Sequence, residues 1–420
     1  MVRIGNQIFW YKFFLSIITG VITMKMTGRE RMMAACKGQE IDRIPVSPDI
    51  SNYIPCEFTK KPFWDIYINE NPSLWQAYIS AVKRLGIDGW FLYSDLKFEF
   101  ESKISYEYVK PITKNDQYWD REKIVHTPDG DLTEIIRVYK NDPPTRTKKM
   151  IVNLEKDYKK LKHLFSKVKS YDSSVFMRQK KSLGELGMMV VDISLPGFPT
   201  WLNYFDGDLE ALTYAYFDFP DIFEELKELH HNQSVSMVEK IIEFGEVDSI
   251  LFGFSGGITL QSPDIFDKLS FPTIQKVSSM CKQAGVISGL HSCGKEYHIV
   301  KRCAEEIDLD YINPLEISPM GDCILSEIVE QFGNKITLMG NLHTISIMLY
   351  GSVKDVRRES LKAIKAAGKN GRFILSTADQ CGYGTPEENL KEMVRTVESF
   401  GTYPLDMDRI EKELSELISE

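Results

Sequence analysis

Eight short runs rich in Ile, Val, Leu and Phe alternate with amphipathic stretches along this chain, and that alternation restricts the fold more than any other feature. The runs fall at residues 44–47, 89–93, 187–193, 249–254, 286–290, 311–314, 336–339 and 373–376. Between them lie helical patterns such as 73–85, 221–244, 264–284, 346–367 and 386–400, several opened by a Ser, Asp or Pro start signal. Strands that are apolar throughout belong to parallel sheets with both faces covered, and eight strand–helix units predict a (β/α)8 TIM barrel.

One interruption stands out. Residues 95–164 separate the second run from the third and contain Thr127-Pro128-Asp129-Gly130-Asp131-Leu132-Thr133, a β-turn signature between strand-like flanks. This predicts a β-hairpin inserted after strand 2 as a rim or lid on a single domain covering 26–420. The first 25 residues are read as an N-terminal extension outside the fold: their apolar run, 13–24, is too short to span a bilayer. Immediately after it, Thr27 and Glu30 form a capping-box pattern with Gly38 as the stop.

A net charge of −9 with the two signs interspersed argues against nucleic acid and against stable membrane association, both of which call for clustered Lys and Arg. Small molecules and proteins are the expected partners. Seven scattered cysteines do not form a secreted disulfide framework, so reduced thiols and a cytoplasmic location are expected.

In a barrel of this kind, reacting groups gather at the carboxyl ends of the strands. Here those positions carry Asp49, Asp95, Asp192, Ser194, Ser255, His291, Cys293, Glu316, Asn341, His343 and Cys381. His291 and Cys293 are two residues apart, so both point to the same side of a strand terminus. With Cys381 they make a three-ligand Zn2+ site with its fourth position open, the pattern of catalytic zinc. The bland alternative is a core histidine and two buried thiols. Glu316 reads as a fourth ligand, a substrate-orienting base or a salt-bridge partner. His343 reads as a substrate contact, a proton carrier or a histidine bonded to its own helix terminus. Asp49, Asp192, Ser255 and Asn341 are the expected substrate-binding side chains, although Ser255-Gly256-Gly257 also suits a plain turn. The other cysteines, with Trp64, Tyr67 and Trp75, read as packing.

Several segments together resemble the uroporphyrinogen decarboxylase superfamily: Met26-Thr27-Gly28-Arg29-Glu30-Arg31, Asp42-Arg43-Ile44-Pro45-Val46, Ser262-Pro263-Asp264-Ile265-Phe266, His291-Ser292-Cys293-Gly294, Met339-Gly340-Asn341-Leu342 and Gly384-Thr385-Pro386-Glu387-Glu388-Asn389-Leu390. The resemblance runs from about residue 26 to the end and implies the same (β/α)8 barrel. Within the superfamily, the His-x-Cys loop and the later cysteine resemble the zinc ligands of corrinoid-linked methyltransferases, including methylcobalamin:coenzyme M methyltransferases. They carry over onto His291, Cys293 and Cys381. The resemblance implies exchange of a methyl group between methylcobalamin, brought by a separate corrinoid protein, and a small-molecule methyl donor or acceptor such as a thiol, tetrahydrofolate or a methylated substrate. The decarboxylase branch fits less well. Its paired arginines after the first strand are replaced by Val46-Ser47-Pro48-Asp49-Ile50-Ser51-Asn52-Tyr53, and its histidine in the last glycine-rich turn by Cys381. A non-catalytic barrel subunit is the third reading, and loss of a zinc ligand would be its mark.

Overall fold

In the computed structural model, which describes residues 25–109 and 112–419, the first helix is Gly28–Cys36 and it opens on the expected capping box. Thr27 Oγ1 accepts from the Glu30 amide at 3.2 Å, and Glu30 Oε2 accepts from the Thr27 amide at 2.8 Å. The extension read at 1–25 lies, apart from Lys25, outside the described residues.

The strands in chain order are β1 (Gly89–Phe91), β2 (Lys97–Phe100), β3 (Ser105–Tyr108), β4 (Thr113–Lys114), β5 (Tyr118–Thr127), β6 (Gly130–Tyr139), β7 (Thr145–Lys148), β8 (Val168–Asp172), β9 (Gly187–Ile193), β10 (Ser249–Gly253), β11 (Ile287–His291), β12 (Tyr311–Asn313), β13 (Thr337–Leu342) and β14 (Phe373–Thr377). Seven of them form one parallel sheet in the order β1-β9-β10-β11-β12-β13-β14. The sheet curls. Trp90 on β1 donates through its indole N–H to the Tyr311 hydroxyl on β12 at 3.1 Å, although three strands lie between them. Trp90, Met188, Val190, Leu251, Ile287, Tyr311, Met339 and Ile374, drawn from all seven strands, bury one another inside the curl, and Met32, Ala35 and Cys36 of the first helix close its lower end. The alternate residues, among them Val191, Ile193, Ile250, Phe252, Leu290, Ile312, Leu338 and Leu375, face the helices. Gly289 is needed inside: a Cβ there would lie 2.1 Å from the Tyr311 ring, which fills the space.

The stretch read as the first strand, 44–47, contributes one parallel bridge, Val46 to Leu375, rather than a ladder. Ser47 N donates to Leu375 O and Leu375 N to Pro45 O, both at 2.9 Å, and Asp88 N donates to Val46 O at 2.8 Å. Pro45 and Pro48 have no N–H to extend the pairing. Side chains secure the same segment. Asp88, 2% exposed, accepts from Arg31, from Arg43 Nη1 at 3.0 Å and from the Val46 amide at 2.9 Å, while Arg31 Nε donates to Asp42 at 2.7 Å.

Two expected helices are divided. The stretch 264–284 becomes Pro263–Leu269 and Phe271–Ala284, the second restarting at Phe271-Pro272. The stretch 346–367 becomes a π-turn, Thr344–Leu349, and a helix, Val353–Ala367, restarted by a capping box in which Ser352 and Asp355 bond reciprocally. Within 95–164, β5 and β6 pair antiparallel from Tyr118 and Tyr139 to Thr127 and Gly130, with Pro128-Asp129 at the turn. Val125 and Leu132 of this pair bury against Leu161, Phe165, Trp201, Phe205 and Phe223, and Trp119 stacks on Trp64 at 5.2 Å.

Candidate metal centre

β11 ends at His291, and the chain turns at once through Ser292-Cys293-Gly294. Neighbouring β10 comes alongside because Gly253 sits at φ +143°, where a Cβ would lie 2.0 Å from the His291 carbonyl oxygen. From the last strand, Asp379 enters at φ +115°, a conformation that L residues rarely adopt, and its carbonyl oxygen accepts from Thr377 Oγ1 at 2.7 Å. The donor atoms of His291, Cys293 and Asp379 lie within 4.8 Å of one another. Among the described residues this is the one group of three or more metal-binding side chains so placed. Cys381, the third ligand expected from the sequence, is not part of it. Its amide donates to the Asp49 carbonyl oxygen at 2.8 Å, and its buried thiol is pushed up by burial and by nearby Asp49, with Thr377 opposing them. The sharp turn at Asp379 brings the carboxylate, not the thiol two residues on, to the His-x-Cys pair.

Of the other expected residues, Ser255, Asp192, Asp49 and Glu316 interact with this group, whereas Asn341 and His343 make their hydrogen bonds elsewhere. Burial pushes the Cys293 thiol up to about 12, with nearby Asp379 adding to the effect and Gly256 and Ser255 opposing it, while the Gly256 amide donates to the Cys293 carbonyl oxygen at 3.2 Å. Ser255, expected to bind substrate, thus lies beside the Cys293 thiol. Asp192 is open to solvent through the mouth of the curl yet ringed by protein, and desolvation raises its carboxyl to about 6 against the pull of His291. Asp49 is raised by burial and then by Asp379, opposed by the Ser51 hydroxyl and amide, which donate to Oδ1 at 2.5 and 2.9 Å. Glu316 is raised by burial, and its Oε2 accepts from the Gly294 amide at 2.6 Å, which anchors the turn after Cys293. Asn341 Nδ2 donates to Leu315 O at 3.3 Å. His343 Nδ1 accepts from the amides of Ile345 and Ser346, each at 3.1 Å, so this ring caps its own π-turn.

Two contributors had no motif to announce them. Asp379 was legible only as a carboxylate near a strand end. Asn313 stands opposite His291 in the β11–β12 register, its Nδ2 3.3 Å from His291 Nδ1. Its Oδ1 is buried with no hydrogen-bond partner. A half-turn of the amide exchanges the two ends, so that Oδ1 accepts Nδ1–H of His291 and leaves the Nε2 lone pair for a metal. This orphaned oxygen, with a donor set of imidazole nitrogen, thiol sulfur and carboxylate oxygen, fits zinc. Asn313→Leu is therefore expected to weaken zinc binding about 10–100-fold. Competition against a chromophoric chelator measures this, and unchanged affinity would remove Asn313 from the site.

Residues 209–400 match the sequence family Uroporphyrinogen decarboxylase (URO-D), a span holding the 262–266, 291–294, 339–342 and 384–390 segments. The resemblance read from those segments is borne out. No curated protein matches the chain. Among solved structures, a methyltransferase from Methanosarcina mazei is similar with a TM-score of 0.60 at 17% identity, over 89% of this chain and 99% of that one. Another, the IOLI protein with a binding zinc atom, shares 11% identity over 57% of this chain and 81% of its own, at a TM-score of 0.20 that aligns little of either fold.

Proposed function

We propose that this chain, with its URO-D-like α/β fold and curled parallel sheet, is a zinc-dependent methyltransferase. It would exchange a methyl group between methylcobalamin, carried on a separate corrinoid protein, and a small thiol, tetrahydrofolate or a methylated substrate. The observation that carries this reading is the convergence of His291, Cys293 and Asp379 at the carboxyl ends of β11 and β14. The likeness of fold to a methyltransferase supports it. We read segment 44–47 as closing the sheet into an eight-stranded barrel, and β3 to β7 as a rim inserted after its second strand within one domain. No helix among the described residues is long and apolar enough to cross a membrane, and a cytoplasmic location follows from the reading of the thiols as reduced.

His291 and Cys293 would hold zinc, with the third place filled by Asp379 as the geometry suggests or by Cys381 as the resemblance implies. Bound zinc would lower the proton affinity of an incoming thiol or polarise a methylated group. The chain's own residues do the rest. Glu316 fixes the Cys293 turn through the Gly294 amide, the Gly256 amide holds the Cys293 carbonyl oxygen, and Ser255 lies beside the thiol and favours its ionised form. Asp192, whose carboxyl desolvation raises to about 6 beside His291, would hold or release a proton at its carboxylate oxygen as the reactant ionises.

The test is methyl transfer from free methylcobalamin to a panel of thiols and tetrahydrofolate, followed by the cobalamin absorbance. Loss of methyl from the cofactor at one zinc per chain is expected, and no transfer to any acceptor would sink the reading. Decarboxylation of uroporphyrinogen is the second reading. Against it stand four carboxylates around the mouth, Asp49, Asp192, Glu316 and Asp379, which would repel a substrate bearing many carboxylates. Carbon dioxide release from uroporphyrinogen would revive it.

A further inference from the structure

His230, fully buried on the helix Pro220–Phe244, is used by none of the chemistry above. Trp201 Nε1 donates to its Nδ1 at 3.3 Å, its Nε2 lies 2.9 Å from Ser194 Oγ, and the Phe165 ring packs 4.6 Å from the imidazole. An indole N–H only donates, so Nδ1 must carry a lone pair. Burial disfavours the charged ring and lowers its pKa to about 3. The single proton of the neutral ring therefore sits on Nε2 and is donated to Ser194 Oγ.

The pair has the outline of a serine–histidine dyad but runs the wrong way. No basic nitrogen faces the hydroxyl, so the ring cannot take its proton. With its oxygen already receiving a hydrogen bond, Ser194 is left with an O–H that has no acceptor among the described residues, although the residue is only partly buried. Ser194 directly follows the last residue of β9, two positions beyond Asp192.

We propose that Ser194 is a specificity-determining residue of the mouth, its hydroxyl held by Trp201 and His230 as a hydrogen-bond donor to a neutral acceptor oxygen (carbonyl, ether or alcohol) of the bound ligand. The inference rests on reading this end of the sheet as the substrate site. A neutral oxygen is favoured over an anionic one because Asp192, two positions back, and the carboxylates of Asp49, Glu316 and Asp379 at the same end of the sheet disfavour further negative charge.

Two measurements on the full chain test it without any methyl transfer, so failure of the proposed reaction leaves them standing. Long-range 1H–15N spectra of imidazole-labelled protein should show His230 neutral and protonated at Nε2 throughout the neutral pH range. A charged ring, or one protonated at Nδ1, overturns the proposal. Acetamide, the probe ligand, should shift the amide signals of residues 192–195 saturably, and acetate should do so more weakly. Ser194→Ala should weaken acetamide about ten-fold, the loss of one hydrogen bond, while Ser194→Thr, which keeps the hydroxyl, should retain it. No saturable shift in the unmodified chain, or equal binding to the alanine variant, overturns the proposal.

Discussion

Cys293→Ser should leave the chain without zinc and lower methyl transfer from methylcobalamin by more than about a hundred-fold, because a hydroxyl offers a far poorer anionic ligand than a thiol. Elemental analysis after gel filtration, with the transfer rate measured on the same sample, checks it. His291→Ala should behave alike. The informative pair is Asp379→Asn and Cys381→Ser. The geometry places Asp379 with His291 and Cys293, whereas the resemblance points to Cys381. If only the first variant loses metal, the carboxylate is the third ligand. If only the second does, the last loop must rearrange on binding to bring the thiol in. Full zinc occupancy in Cys293→Ser would end the metal reading altogether.

Asp88→Ala is expected to cost about 3–5 kcal/mol of folding stability, among the largest effects of any single change outside the metal site. Asp88 is the shared acceptor for Arg31, Arg43 and the Val46 amide, and it and Arg31 are 2% and 3% exposed. Removing it strands a buried guanidinium with Asp42 as its remaining carboxylate, and cuts the side-chain tie between the 44–47 segment and the start of β1. Asp88→Asn, which keeps acceptor and shape but not charge, should cost less. Urea unfolding followed by circular dichroism reads both, and an unchanged midpoint in the alanine variant would show the network to be dispensable.

The parallel sheet was legible because its strands are uniformly apolar and short. Seven of the eight runs recur as β1 and β9 to β14 within a few residues. The eighth was misjudged in strength: Val46 has the right side chain, but the flanking prolines leave one bridge where a ladder was expected. Helix breaks at Ser270 and Ser352 were hidden because the apolar spacing continues across them. In the site, His291 and Cys293 could be paired from period two alone. Asp379 could not, because its approach depends on a backbone conformation that an aspartate does not advertise. His343 shows the reverse: its strand-end position suggested chemistry, while two backbone amides occupy its Nδ1. Trp201 and His230 lie 29 residues apart, so their pairing with Ser194 is a product of tertiary packing with no local signature.

Tyr311, lodged against Gly289 and bonded to Trp90, plugs the centre of the curl, and Met32, Ala35 and Cys36 cover what lies beneath it. The curl is consequently closed from below, and no passage runs along its axis past Tyr311. Under the proposed chemistry, the small reactant and the protein-borne carrier would therefore both have to approach the metal centre from the side of the strands' carboxyl ends, so the carrier would dock over a reactant that is already seated.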